Sequence, residues 1–171
     1  MKKIGILTGC LALILCACTA RGKKTDTPVE YYGVSFICPA GWDVSKTEDY
    51  GAVQMVTIEK MGFSSSGILT VTLQDEGCEL DDLLRDFMEA MEENAIFSNL
   101  KFRDVTDGFY GKYGGLACEY TTSVLSVPHQ GCIYVFNANG KNLGILRQEA
   151  TEDLKVNRSG FEKLAESFTV N

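Results

Sequence analysis

His129 is the single histidine of the chain, so any Ser/His/Asp or Cys/His nucleophilic arrangement would have to use it. It stands one residue after Pro128, and the turn residues from Val127 to Gly131 predict a loop there, where a histidine is an exposed turn residue. His129, Cys132 and Cys118 could together offer three metal ligands, but a structural zinc site uses four, and no paired CxxC motif occurs. Gly108, Gly111, Gly114 and Gly115 are spaced for turns, with no Gly-Lys-Ser/Thr signature to cradle a phosphate. The acidic residues fall on helix faces and in an N-terminal spacer, which leaves no carboxylate pair for acid/base work. The expectation is therefore a protein without a catalytic residue, metal site or cofactor, and not an enzyme.

More specific chemistry lies near the N-terminus. Lys2 and Lys3 precede Ile4 to Leu15, a 12-residue run that is mostly apolar and has the length of an export-signal core, well short of the roughly 20 residues of a membrane span. The run ends in Leu15-Cys16-Ala17-Cys18, which resembles the lipobox of bacterial lipoproteins, with Cys18 as the residue that becomes the lipidated terminus. Leu7-Thr8-Gly9-Cys10 has the same pattern but would leave an apolar core of only six residues. The resemblance implies a signal peptide over 1–17, a lipid attachment at Cys18, and membrane lipid as the first partner. Each buried CH₂ of the acyl chains contributes about 0.8 kcal/mol, so several chains together anchor stably. Thr19 follows the cysteine; in lipoproteins of two-membrane bacteria an acidic residue there retains the protein at the inner membrane. The resemblance thus implies the outer membrane, facing the periplasm, if the host has one.

The net charge is −7 and the isoelectric point about 4.8. Without Lys2 and Lys3 the mature chain keeps 14 basic against 23 acidic residues, a formal charge of −9. No phosphate-backbone binder is built this way, and nucleic acid is excluded as a partner. The length of 171 residues and the 45% hydrophobic fraction fit one globular domain behind the targeting segment.

Residues 18–30, short of large apolar side chains, predict a flexible tether. From Tyr31 the pattern alternates: Tyr32, Val34 and Phe36, then Val56 and Ile58, then Leu69, Val71 and Leu73, predict three or four antiparallel strands. At Leu80 the period changes, and Leu80, Leu83, Leu84, Phe87, Met88 and Met91 define the core stripe of an amphipathic helix. Strands are predicted over Leu100 to Val105, Leu116 to Val124, Cys132 to Phe136 and Leu143 to Gln148, followed by a helix bearing Phe161, Leu164 and Phe168, with a capping box at Ser159 and a start nearer Asp153 as the alternative. Four cysteines fall in this domain: Cys38, Cys78, Cys118 and Cys132. In an oxidising compartment Cys118 and Cys132, on either side of one hairpin loop, are the nearest candidates for a disulfide, and closing that loop would add about 3 kcal/mol. The alternative is that both are small buried apolar residues.

Tyr32-Gly33-Val34-Ser35-Phe36, Pro39, Gly41-Trp42, Gly114-Gly115 ahead of Tyr120, Phe161 and Ser167-Phe168 make the domain, residues 31–171, similar to the PsbP-like family. That resemblance implies an α+β fold, a twisted antiparallel β-sheet flanked by helices, acting through protein contacts. The expected function is a non-enzymatic interaction or assembly module of the cell envelope with an envelope protein as partner. The alternative is a small-ligand-binding lipoprotein with a pocket between sheet and helix.

Overall fold

The structure is a computed structural model and describes residues 24–62, 66–75 and 77–171. Cys18 and the lipobox lie outside the described residues. The chain runs β1 (Thr27–Tyr31), β2 (Val34–Cys38), β3 (Trp42–Asp49), β4 (Val53–Lys60), β5 (Ile68–Asp75), α1 (Leu80–Glu93), β6 (Phe97–Phe102), β7 (Thr106–Tyr110), β8 (Tyr113–Val124), β9 (Val127–Ala138), β10 (Lys141–Ala150), a 3₁₀ turn (Thr151–Asp153), α2 (Leu154–Ser167) and β11 (Thr169–Val170). Eight strands form one antiparallel sheet in the order β3-β4-β5-β10-β9-β8-β6, with β7 also paired to β8; β1, β2 and β11 form a second, three-stranded sheet. The α+β fold of antiparallel sheets with two helices is the one the sequence implied. No helix among the described residues is long and apolar enough to cross a membrane.

Side chains alternate across each strand, so the large sheet has two faces with separate cores. On one face α1 lays Leu83, Leu84, Phe87 and Met91 against Cys118, Tyr120, Ile133, Val135 and Leu146. Gly144 makes the close approach possible: a Cβ there would lie 2.2 Å from the Phe87 ring. On the other face α2 and the small sheet cover Val56, Ile58, Leu69, Val71, Leu73, Leu143, Ile145 and Phe136 with Phe161, Leu164, Phe168, Val34 and Phe36. Trp42 meets Phe161 edge-on, ring centroids 4.9 Å apart.

The residues that carried the family resemblance are packing and turn residues. Tyr32 and Gly33 both take positive φ in the two-residue turn between β1 and β2. Phe36 stacks on Phe168, the Pro39 carbonyl accepts from Trp42 N–H at 2.9 Å, and Ser167 Oγ accepts from Ile37 N–H at 2.9 Å.

Three expectations are corrected. Residues 27–30, assigned to the tether, form most of β1, an edge strand in which Pro28 is tolerated because only β2 flanks it. The segment Val127 to Gly131 is not a loop: β8 and β9 meet in a two-residue turn at Leu125 and Ser126, and β9 begins at Val127. Finally α2 starts at Leu154, so Ser159 lies inside the helix and caps nothing; the alternative start near Asp153 holds.

Candidate functional site

The face beneath α2 changes character along its strands. On β10 the residues pointing to that face run Leu143, Ile145, Arg147, Glu149; on β9 they run Phe136, Tyr134, Cys132, Gln130. The register pairs them in that order, and on the far side of β9 Glu119 and Thr121 of β8 stand opposite Cys132 and Gln130. Beyond the reach of α2, aliphatic and aromatic side chains thus give way to a charged and polar cluster.

The boundary is Arg147, whose guanidinium lies over the Phe161 ring of α2, 4.3 Å from its centroid. The same guanidinium donates to Oε1 of Glu149. Next to this pair is a cavity of about 130 Å³ whose lining includes Arg103, Glu119, Cys132, Tyr134, Arg147 and Glu149. Glu149 is 1% exposed, and its second carboxylate oxygen, Oε2, has no hydrogen-bond partner among the described residues. At the rim, Arg103 donates to Glu119 at 2.7 Å, both side chains being largely in solvent. Burial pushes the Cys132 thiol up to about 11, a rise that the hydrogen bond from Tyr134 only partly offsets. Burial likewise raises Tyr134. Burial thus favours the protonated thiol at Cys132, which is the less nucleophilic form.

The residues singled out in the sequence are scattered. His129 sits on β9 opposite Thr122, on the α1 face, half-buried with Nδ1 3.4 Å from Gln148 Nε2; burial lowers its pKa, partly opposed by Asp153. Cys118 stands opposite Ile133 whereas Cys132 stands opposite Glu119, so the two thiols point to opposite faces of the sheet. Both are buried, and the Cys118–Cys132 disulfide expected from the sequence is not formed in this structure. A joint metal site of His129, Cys118 and Cys132 is split by the same alternation, and no group of three or more His, Cys, Asp or Glu among the described residues could hold a metal ion. Among the described residues α1 and α2 meet the sheet through packed side chains, and the 130 Å³ cavity lies on the sheet face beyond α2.

No protein-family model matches the chain, and no curated protein sequence does. Solved structures do. CyanoP, the cyanobacterial PsbP of Synechocystis sp. PCC 6803, superposes with a TM-score of 0.61 at 16% identity, covering 92% of this chain and 99% of its own. LpqN of Mycobacterium tuberculosis, involved in cell envelope biogenesis, gives 0.56 at 11% identity, with 86% and 91% covered. The Saccharomyces cerevisiae Ran-binding protein Mog1p gives 0.51 at 10% identity, with 86% and 96% covered. The fold is the PsbP-like one. At such identities the likeness is one of fold, and function has to be argued from the residues of this chain.

Proposed function

We propose that the protein is a lipid-anchored, non-enzymatic interaction or assembly module of the cell envelope, held on the extracytoplasmic side of a membrane and, in a host with two membranes, at the outer membrane facing the periplasm. The observation that carries this reading is the lipobox Leu15-Cys16-Ala17-Cys18 placed nine residues ahead of Thr27, the first residue of β1. At 3.3–3.6 Å per extended residue that spacing reaches at most about 30 Å, which keeps the domain beside the bilayer. Support comes from the fold, which also serves a protein of cell envelope biogenesis and a Ran-binding protein. A buried thiol whose protonated form is favoured and a histidine on the opposite sheet face agree with binding as the activity.

The test is metabolic labelling with an alkyne fatty acid, then crosslinking in intact cells, comparing the native chain with Cys18→Ser. The expected outcome is label on the native chain only, release of the variant from the membrane fraction, and loss of one reproducibly crosslinked envelope protein. Equal labelling of both forms would remove the anchor, and an unchanged crosslinking pattern would remove the membrane-bound assembly role.

A further inference from the structure

The chain enters the domain at one end of the large sheet. Asp26, eight residues after Cys18, accepts from Ala40 N–H at 2.9 Å and from Lys163 Nζ of α2, which pins it beside the turn that leads into β3. The register places Trp42, Lys60, Ile68, Ala150 and Val127 at that same end, where β3, β5 and β9 begin and β4 and β10 finish. The start of α2 is there too, with Lys60 Nζ donating to the Val156 carbonyl at 3.3 Å. Among the described residues six large hydrophobic side chains are left in solvent, and three of them, Leu125 (67%), Val127 (41%) and Val156 (55%), belong to this end. Leu125 also stands at φ 49°, a conformation that favours Gly or Asn, so an exposed leucine is held there against its backbone preference. Charge separates the two helices: α1 carries six acidic residues against one arginine, whereas α2 carries two against three basic ones.

We propose that the domain stands end-on on the lipid surface that holds its anchor, with Leu125, Val127 and Val156 entering the boundary between headgroups and acyl chains. The proposal rests on lipidation at Cys18 and adds an orientation to it. Eight extended residues span at most about 29 Å, less than the roughly 40 Å length of the twelve-residue β8, so the tether cannot present the other end of the sheet to the bilayer. Three aliphatic side chains bind a bilayer weakly by themselves, but the anchor makes their insertion intramolecular and so raises its occupancy. Arg21, Lys23 and Lys24, between Cys18 and Asp26, complement anionic headgroups, and the end-on stance keeps the acidic face of α1 off them.

The experiment takes the full chain purified from membranes, with its acylation read by intact mass, and reconstitutes it into phosphatidylethanolamine–phosphatidylglycerol vesicles with brominated acyl chains. Leu125→Trp places a fluorophore at the proposed contact and Tyr50→Trp places one in the β3–β4 turn at the other end of the sheet; Trp42, 2% exposed, gives both the same background. Bromine should quench the residue-125 emission about twofold or more beyond that at residue 50. Adding Val127→Asp and Val156→Asp, both at exposed positions that leave the core intact, should bring the quenching of Leu125→Trp down to the level of Tyr50→Trp. Equal quenching at the two positions of an acylated chain would overturn the orientation and leave the anchor standing. Undiminished quenching in the chain with both aspartates would overturn it as well, since the apolar contact would then not be what holds this end down. An unacylated chain would remove the anchor, and this inference with it.

Discussion

The two ends of one sheet face are built from the same strands and differ in almost everything else. At the covered end, Phe136, Leu143 and Ile145 are excluded from water under α2 and the small sheet. At the open end, four residues along the same strands, Gln130, Cys132, Arg147 and Glu149 surround a polar cavity. What separates them is the length of α2 and the position of one aromatic ring, Phe161, against which Arg147 turns its flat side. A helix that covers only part of a sheet face divides it into a core and an open polar surface, and the alternation of each strand must change composition at that line.

Truncations at the two ends should differ most. Phe136→Ala removes a ring that stacks on Tyr113 at 5.0 Å and meets Phe168 edge-on at 6.3 Å, and should cost about 3–5 kcal/mol in urea unfolding. Gln130→Ala at the open end should stay within about 0.5 kcal/mol. A cost of several kcal/mol at Gln130 would erase the distinction.

Arg147→Ala attacks the boundary itself. It strips the partner from a carboxylate that is 1% exposed, and about 3 kcal/mol should be lost, the lower part of the range for a broken buried pair because the Arg147 side chain is 30% exposed. Extending the aliphatic pattern instead, with Arg147→Met and Glu149→Leu together, should leave stability within about 1 kcal/mol of the native chain, since a buried ion pair replaced by packed apolar groups is close to neutral. Chemical denaturation of the single and double variants separates a charge penalty from a packing one.

The open end terminates in the β8–β9 turn, where Leu125 (φ 49°) and Ser126 (φ 69°) both sit in the left-handed region. Leu125→Asn with Ser126→Gly supplies the residues such a turn prefers and should stabilise by about 1 kcal/mol. The melting temperature should rise with the cavity unaltered, so a loss of stability would mean that Leu125, 67% exposed, has packing value not apparent from its surroundings.

The smallest effect is a pH slope. Burial holds His129 below its ordinary value of 6.5, so on acidification the unfolded chain takes up a proton before the folded one does. The contribution is complete above pH 6.5 and is lost as the pH falls through the folded-state value. His129→Gln should flatten that part of the stability curve, measured by urea unfolding between pH 7 and 5. An unchanged slope would assign it to the carboxylates.

Much of the architecture was legible in the pattern of residues. The α1 stripe needed no tertiary information, because Leu83, Leu84, Phe87 and Met91 recur at the period of a helix against a strongly acidic opposite face. Five strands precede α1 where three or four were expected, since the short β1 looks polar until Val29 is seen packed against the core. The β8–β9 turn was missed for a physical reason: positive φ at a leucine and a serine leaves no Gly or Asn signal, and Pro128 and Gly131 drew the loop into what is strand. The site had a signal that could have been read. Leu143, Ile145, Arg147 and Glu149 alternate in sequence, and the switch from aliphatic to charged on one face marks where cover ends.

The α1 helix, the α+β class, the acidic balance and the lipobox-like motif Leu15-Cys16-Ala17-Cys18 were legible in the sequence alone, because propensity, periodicity and short motifs are local properties of the chain. Strand order was not, since β5 pairs with β10 across a helix and four strands. Nor was the separation of Cys118 from Cys132 or the pairing of Arg147 with Glu149 beside Phe161. Those depend on register and on which helix covers which part of a face. A shift of one residue would exchange both faces of a strand, and only the packed sheet settles that choice.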